Sequence, residues 1–258
     1  MGKLKQMCNS LIICISMYSI IPMPRIEWEE KSMKYMLCFL PVIGGIIGSC
    51  MIGVYPLLTS FTVTFQAIAL LLIPVILSGG IHIDGVIDTC DAYFSYGDRE
   101  KKLEILKDPR TGAFGVLGAI VYFVCLYGIY VQLIETKTLQ VIVLPIIFII
   151  SRAVGAICMI KMPNAKKDGL GAEFSNTAAQ NIVVGILGMW IVASGVILCA
   201  TDRNIFMIFV ATIAVFLLGI LPLYVKKFGG ITGDLTGCII SLLELLLPFS
   251  MAIGGVLL

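Results

Sequence analysis

The sequence is poor in charge, in histidine and in the cysteine spacings that mark metal or disulfide sites. Only 13% of its 258 residues are charged, against about 25% in a soluble domain, so the composition argues against a soluble enzyme. A single histidine is too little for a His-based zinc site. The nine cysteines are odd in number and show no CxxC spacing, which predicts reduced packing residues. A net charge of +2, without a basic run interleaved with aromatics, predicts no nucleic-acid partner.

What the chain has instead is a series of long apolar runs. It is 59% hydrophobic, with a mean hydropathy of +1.03, and a spanning helix needs about 20 mostly apolar residues. Seven segments qualify, at approximately 35–55, 62–83, 113–134, 139–160, 181–200, 205–225 and 237–257. We therefore predict an all-α, polytopic integral membrane helical bundle of about seven transmembrane helices, forming one catalytic domain over 1–258. The first twenty residues lack a small-residue cleavage site and are predicted to remain as an interfacial or partly buried helix.

The basic residues fall almost entirely on one side of this topology. Of 18 lysines and arginines, all but Lys137, Arg203 and the intramembrane Arg152 lie on the side of the N-terminus. The positive-inside rule then predicts a cytoplasmic N-terminus and an external C-terminus. The polar, glycine-rich segments at 78–115, 161–175 and 226–237 share the cytoplasmic side, whereas the opposite connections are short and featureless. One composite site facing the cytoplasm follows.

Three aspartates, Asp84, Asp88 and Asp91, follow the second apolar run. On a helix, offsets of four and seven residues keep the three carboxylates within an arc of about 60° at ~100° per residue. Like charges gathered at a membrane edge favour a hard divalent cation with oxygen ligands, which predicts Mg²⁺. Gly79 and Gly80, just before them, permit close approach of a backbone or a ligand.

The segment just before the third span combines two cations, a carboxylate and a glycine: Lys107, Arg110, Asp108 and Gly112. The planar fork of Arg110 suits phosphate, and Lys107 offers a point charge. The basic residues upstream are predicted to be solvated: Arg99, Lys101 and Lys102. His82 is either a base or partner in the site, or a structural histidine.

Two later segments carry glycines beside acids. Asp168, Gly169 and Gly171 resemble a substrate loop, although an ordinary turn explains them equally well. A second group leads into a helix that starts near Asp234: Gly229, Gly230, Thr232 and Gly233. A glycine-rich loop that feeds a helix N-terminus is a natural phosphate cradle. Glu244, inside the last span, is predicted to face the bundle interior and to meet Arg152 or a cation.

Carboxylates for a metal, cations for phosphate and glycine-rich backbone together favour phosphoryl or phosphodiester transfer. A CDP-alcohol phosphotransferase-like enzyme would carry a D-x₂-D-G-x₂-A-R arrangement that this chain lacks. A prenyltransferase-like enzyme would carry two aspartate-rich motifs, which Asp234 and Glu244 imitate only loosely. A cation-coupled transporter would place its acids near the bilayer midplane, whereas these acids cluster at one face.

The longest motifs resemble a known family. GGIHIDGVIDTCDA followed by LKDPRTGAFGVLG is similar to the signature of the adenosylcobinamide-GDP ribazoletransferase (cobalamin synthase) family. DGLGAEF and GGITGDLTGCIISLLE stand where that family carries its later motifs, so the resemblance covers nearly the whole chain. Two departures, Cys90 for alanine or glycine and Pro109 for serine, remove no proposed ligand.

The resemblance implies an Mg²⁺-dependent, polytopic inner-membrane enzyme of the last steps of cobalamin biosynthesis. It would join adenosylcobinamide-GDP to α-ribazole or its 5′-phosphate, releasing GMP and forming adenosylcobalamin or its phosphate. The three aspartates would bind Mg²⁺ at the diphosphate, or Asp91 would act as the base, and Lys107 and Arg110 would neutralise phosphate. Asp234, with Glu244, would serve a second metal or a phosphate. The expected partners are the two substrates and the lipid bilayer, and a homo-oligomer or an assembly with other cobalamin-pathway enzymes both stay open.

Overall fold

The chain folds as a bundle of α-helices. The computed structural model describes residues 2–165 and 170–257. Its helices are α1 (Lys3–Tyr18), α2 (Glu30–Met33), α3 (Leu40–Leu58), α4 (Val63–Ser78), α5 (Ile81–Phe94), α6 (Arg99–Ile105), α7 (Ala113–Glu135), α8 (Leu144–Lys161), α9 (Leu170–Thr177), α10 (Gln180–Thr201), α11 (Arg203–Val215), α12 (Leu221–Phe228) and α13 (Gly233–Leu257). A π-helical turn joins α11 to α12. In the described part of the chain, β pairing is limited to one parallel bridge, between Asn164 and Ile231.

The number of membrane spans agrees with the sequence. Among the residues that the structure describes, six helical stretches are long and apolar enough to cross a bilayer: Met36–Leu58, Ala113–Glu135, Val141–Lys161, Gln180–Thr201, Arg203–Phe228 and Gly233–Gly255. Helices α4 and α5 qualify together as a seventh, although they meet at an angle of 94°. The prediction of an all-α multi-pass protein is confirmed, but the segment predicted at 62–83 is not one straight helix.

Two glycines make that bend. Gly79 has φ 65° and Gly80 has φ 77°, both left-handed, a conformation that glycine adopts without steric cost. Their N–H groups donate to the carbonyls of Ile76 and Val75, each at 3.0 Å, and so close the last turn of α4. The chain then starts α5 in a new direction, which carries the aspartates away from the axis of α4.

Close helix packing positions the rest of the bundle. A Cβ added at Gly48 of α3 would stand 2.5 Å from the backbone N of Pro145, so α3 and α8 approach backbone to backbone. Helix α13 contacts α5, α7, α8 and α11, which makes it the central element. Helix α1 buries Ile13 and Cys14 fully while Leu4 stays exposed, so the prediction of a partly buried N-terminal helix is confirmed.

The end of the bundle opposite α5 is less featureless than expected. A cavity of about 270 Å³ lies there, lined in part by Lys137, Gln140, Asp202 and Gly254. Asp202 caps α11 by accepting the N–H groups of Asn204 and Ile205, at 2.9 and 3.1 Å, and it also accepts a bond from Gln140. Hydrogen bonding, foremost that from Ile205, lowers the pKa of Asp202. The polar position of Asp202 at this end of the bundle is therefore explained by its capping of α11.

Candidate functional site

One cavity joins all three segments that the sequence analysis singled out. Its volume is about 150 Å³, and its walls come from α1, α3, α5, α8, α9 and α13. The lining residues from those segments include His82, Asp84, Gly171, Gly233, Asp234 and Gly237. Asp84 on α5 and Asp234 at the start of α13 thus share one small space although 150 residues separate them in the sequence.

Glycines allow this convergence. A Cβ at Gly85 would stand 2.5 Å from the backbone carbonyl oxygen of Asp234. A Cβ at Gly171 would stand 2.7 Å from the backbone N of Gly233. Contacts this short leave no room for a side chain at either position, so α5 and α9 both rest against the start of α13. The aspartate helix and the glycine-rich loop are therefore held together by backbone contact.

His82 is buried in the wall of the cavity. Its side chain is 4% exposed, and its ring stacks on Tyr18 of α1 at a centroid distance of 6.2 Å. Its Nε2 atom has no hydrogen-bond partner within the described residues. Buried polar atoms in proteins are nearly always paired, so this nitrogen is a candidate contact for a ligand.

The three aspartates lie on one helix, as predicted, but they do different things. Asp84 is exposed and lines the cavity, and Asp88 lies half-buried one turn later. The two oxygens of Asp91 accept the N–H groups of Gly112, at 2.6 Å, and Gly115, at 2.8 Å, at the start of α7. Within residues 2–165 and 170–257, no three His, Cys, Asp or Glu side chains are grouped so that they could hold a metal ion. The three carboxylates therefore do not form one protein-only cage.

The basic segment before α7 lies outside the cavity. Arg110 donates from Nε and Nη2 to the two carboxylate oxygens of Asp108, at 2.9 and 2.7 Å. This bidentate bond, with the backbone N–H of Arg110, lowers the pKa of Asp108 to about 2. Lys107 and Arg110 are both exposed. In this structure the guanidinium of Arg110, which suits phosphate, is bound to Asp108.

The glycine-rich loop is fixed by a neighbouring segment. The Ile231 N–H donates to the Pro163 carbonyl at 2.7 Å, and the Ala165 N–H donates back to Ile231 at 2.9 Å. Thr232 Oγ1 accepts the Leu235 N–H at 3.2 Å, which caps the first turn of α13. The helix begins at Gly233, close to the predicted start. Gly229 and Gly230 take positive φ values of 74° and 151°, so both positions need glycine.

Arg152 and Glu244 meet in the bundle interior, as predicted. Arg152 is fully buried and Glu244 is 8% exposed. Arg152 Nη1 donates to Glu244 Oε1, and the Ser151 hydroxyl donates to the same oxygen at 3.1 Å. Neither charged residue lines the cavity of Asp84. Two other candidates, Asp168 and Gly169, lie outside the described residues.

Sequence reasoning missed several residues near the site. Tyr18 lines the cavity, and no local pattern marks it because α1 reaches the cavity only through tertiary packing. Lys102, predicted to be solvated, is in fact 4% exposed. That prediction was wrong because the sequence does not show what packs over α6. Arg99 and Lys102 are three residues apart, so the sequence does indicate that they share one helix face. The spacing alone does not indicate that the face is buried.

The helical membrane bundle holds two carboxylates, a buried histidine and close-packed glycines at one end. These are the features of a multi-pass membrane enzyme. Comparison with known proteins then gives the family. The family model described as cobalamin-5-phosphate synthase matches residues 10–252. The chain belongs to this family of transferases of cobalamin biosynthesis.

Full-length relatives agree with that assignment. The chain is 36% identical over 248 residues to the adenosylcobinamide-GDP ribazoletransferase of Lachnoclostridium phytofermentans, covering 95% of this chain and 94% of the relative. It is 33% identical over 239 residues to the protein of that name from Clostridium botulinum, covering 91% and 93%. For that of Geobacillus kaustophilus the identity is 30% over 248 residues, covering 92% and 93%. No solved structure matches the chain.

Proposed function

We propose that this chain joins adenosylcobinamide-GDP to α-ribazole, or to α-ribazole 5′-phosphate, with release of GMP. The observation that carries the proposal is the cavity shared by His82, Asp84 and Asp234, in a chain of the cobalamin-5-phosphate synthase family. The same membership disfavours the CDP-alcohol, prenyltransferase and transporter alternatives. We propose further that the whole chain acts as one catalytic domain.

The donor set fits Mg²⁺. This ion is commonly held by one or two carboxylates together with substrate phosphates, rather than by an all-protein cage. Asp84 and Asp234 supply two carboxylates in one cavity, and Asp88 lies one helical turn from Asp84 on α5. We propose Asp84 and Asp234 as the holding pair. When bound, the ion would neutralise the charge of the diphosphate at the bond to be broken.

The remaining roles fall to other groups in and near the cavity. We assign His82 Nε2 to accept the proton of the attacking hydroxyl. Asp91 holds the start of α7 through Gly112 and Gly115, so we assign it a structural role, in place of the Mg²⁺ ligand or base that the resemblance implied. The start of α13, at Gly233, offers N–H groups to a phosphate.

Two basic residues would act from outside the cavity. Arg110 and Lys107 are exposed near the start of α7, where they could neutralise the phosphate of the departing GMP. Arg110 would first have to exchange Asp108 for that phosphate, because one guanidinium fork cannot clamp both. The excess of Lys and Arg on this side supports a site that faces the cytoplasm, with a cytoplasmic N-terminus.

A purified-protein assay tests the proposal. The detergent-solubilised chain is incubated with adenosylcobinamide-GDP and α-ribazole, and GMP and the joined corrinoid are quantified by chromatography. We expect equimolar formation of the two products, its loss with excess EDTA and its return with Mg²⁺. GMP release that does not require α-ribazole would indicate hydrolysis and would contradict the proposed transfer. Product formation unaffected by EDTA would contradict the metal assignment alone.

A further inference from the structure

Helix α6 lies across the ends of the segments that form the site. It is only seven residues long, and its charged sequence suggests a surface helix. Two of its basic residues, Arg99 and Lys102, stand three positions apart and so share one face. Each donates to backbone carbonyls of other segments. This face of α6 therefore connects elements that are distant in the sequence.

Lys102 fixes the end of the aspartate helix. Its Nζ donates to the carbonyls of Ala92, Tyr93 and Ser95, at 2.9, 3.2 and 2.5 Å. An ammonium has three donors, and these three acceptors satisfy all of them. The last carbonyls of a helix have no partner within it, and a cation there is favoured by the helix dipole. Burial of Lys102 and the nearby Lys227 lower its pKa.

Arg99 fixes the two loops on the other side of the cavity. Its Nε donates to the Phe228 carbonyl at 2.9 Å, and its Nη2 contacts the Ala165 carbonyl at 3.4 Å. Phe228 is the last residue before the glycine-rich loop, and Ala165 pairs with Ile231 inside it. A Cβ at Gly229 would overlap the guanidinium of Arg99. Gly229 thus provides the space that Arg99 occupies.

We propose that Arg99 and Lys102 are positioning residues for the transfer reaction. Lys102 holds the helix that carries Asp84, and Arg99 holds the loop that leads to Asp234, so α6 sets the separation of the two carboxylates. Neither basic residue lines the cavity, and neither contacts substrate in this scheme. The inference rests on the proposed function, because the transfer reaction is one of its two readouts.

The test compares three charge-removing substitutions on one helix: Arg99→Gln, Lys102→Met and the control Lys101→Met. The Lys101 ammonium pairs with Glu104 at 2.9 Å on the exposed surface. We expect Lys102→Met and Arg99→Gln to lower kcat by about 10- to 100-fold while KM for either substrate changes by less than about threefold. Lys101→Met should keep kcat within about twofold of the parent chain. Arg99→Lys, which keeps the charge but not the fork, should recover part of the lost kcat.

Hydrogen exchange supplies the readout that does not depend on turnover. Lys102→Met should accelerate amide exchange at the end of α5, and Arg99→Gln should accelerate it at 228–233. Lys101→Met should leave amide exchange in both segments unchanged. Exchange or kcat that stays at the parent level in both variants would overturn the inference. A fall in kcat that disappears once activity is divided by the folded fraction, measured by gel filtration, would also overturn it. If the parent chain releases no GMP, the proposed function fails, and the exchange pattern still decides whether α6 braces these segments.

Discussion

Gly85 and Asp234 are in backbone contact: a Cβ at Gly85 would lie 2.5 Å from the Asp234 carbonyl oxygen and 3.0 Å from the backbone N of Cys238. A methyl group cannot fit against backbone atoms that close, so Gly85→Ala must move α5 away from α13. We expect at least a tenfold loss of kcat, because shifts of about 1 Å in a site can cost on the order of 100-fold.

The control for that variant is Gly185→Ala on α10, where an added Cβ meets nothing within 4 Å. It should transfer at the parent rate. A Gly85→Ala protein that folds and turns over normally would show that the approach of α5 to α13 is not needed for catalysis.

Asp84→Asn and Asp234→Asn each remove one carboxylate from the shared cavity. We expect each to lower kcat by about 100-fold or more, the size of effect seen when one group that stabilises developing charge is lost. Each should also raise the Mg²⁺ concentration needed for half-maximal rate, measured by titration of GMP release. Glu104→Gln, an exposed charge change on α6, is the matched control. Unchanged Mg²⁺ dependence in both variants would argue against the assigned pair.

The variant Asp91→Asn distinguishes two possible roles of Asp91, as a cap of α7 and as the catalytic base. An asparagine keeps only one carbonyl oxygen for the two N–H groups of Gly112 and Gly115. We expect a loss of stability of about 1–2 kcal/mol, as for other lost caps, read as a lower unfolding midpoint in detergent. kcat per folded molecule should stay within about threefold of the parent. A fall of about 100-fold or more would instead support the role of Asp91 as the base.

The sequence predicted much of the architecture and the pieces of the site. Apolar runs located the spans because hydrocarbon thickness sets their length. The segment of Asp84, Asp88 and Asp91 is helical in the structure, which is the condition under which their offsets place them within one arc. The bend after Ser78 was missed because hydropathy continues through it, although Gly79 and Gly80 were noted.

The partners of individual side chains were harder to predict. That Asp91 caps α7, or that Lys102 is buried, depends on how α5, α6 and α7 pack, which periodicity does not encode. The meeting of Arg152 and Glu244 was predictable because charges inside a bundle need a partner.

The pair formed by Arg152 and Glu244 should behave as one unit. Removing one member of a buried pair leaves an uncompensated charge, which typically costs about 3–5 kcal/mol. We therefore expect Arg152→Met alone to lower the unfolding midpoint strongly, and the double variant Arg152→Met, Glu244→Leu to recover most of the loss. Midpoints in detergent, followed by tryptophan fluorescence, provide the measurement. Additive losses would show that the two side chains are not coupled.

Surface labelling of single added cysteines tests the orientation. Glu104 on α6 and Thr136 after α7 are both exposed and belong to opposite ends of the bundle. With a membrane-impermeant thiol reagent on intact spheroplasts, we expect Thr136→Cys to gain label over the parent chain and Glu104→Cys to gain it only after lysis. The reverse pattern would invert the proposed topology and place the site outside.

The sharp bend between α4 and α5 has an energetic consequence. Helix α4, with 16 residues, is about 24 Å long, and the chain turns before the carboxylate of Asp84. A cation that reaches Asp84 from the aqueous face therefore crosses little of the electric field of the bilayer. Full transit would be worth about 2.3 kcal/mol per charge at 100 mV. We expect turnover in sealed vesicles to be independent of the membrane potential, so that the cell can run this step whether or not its membrane is energised.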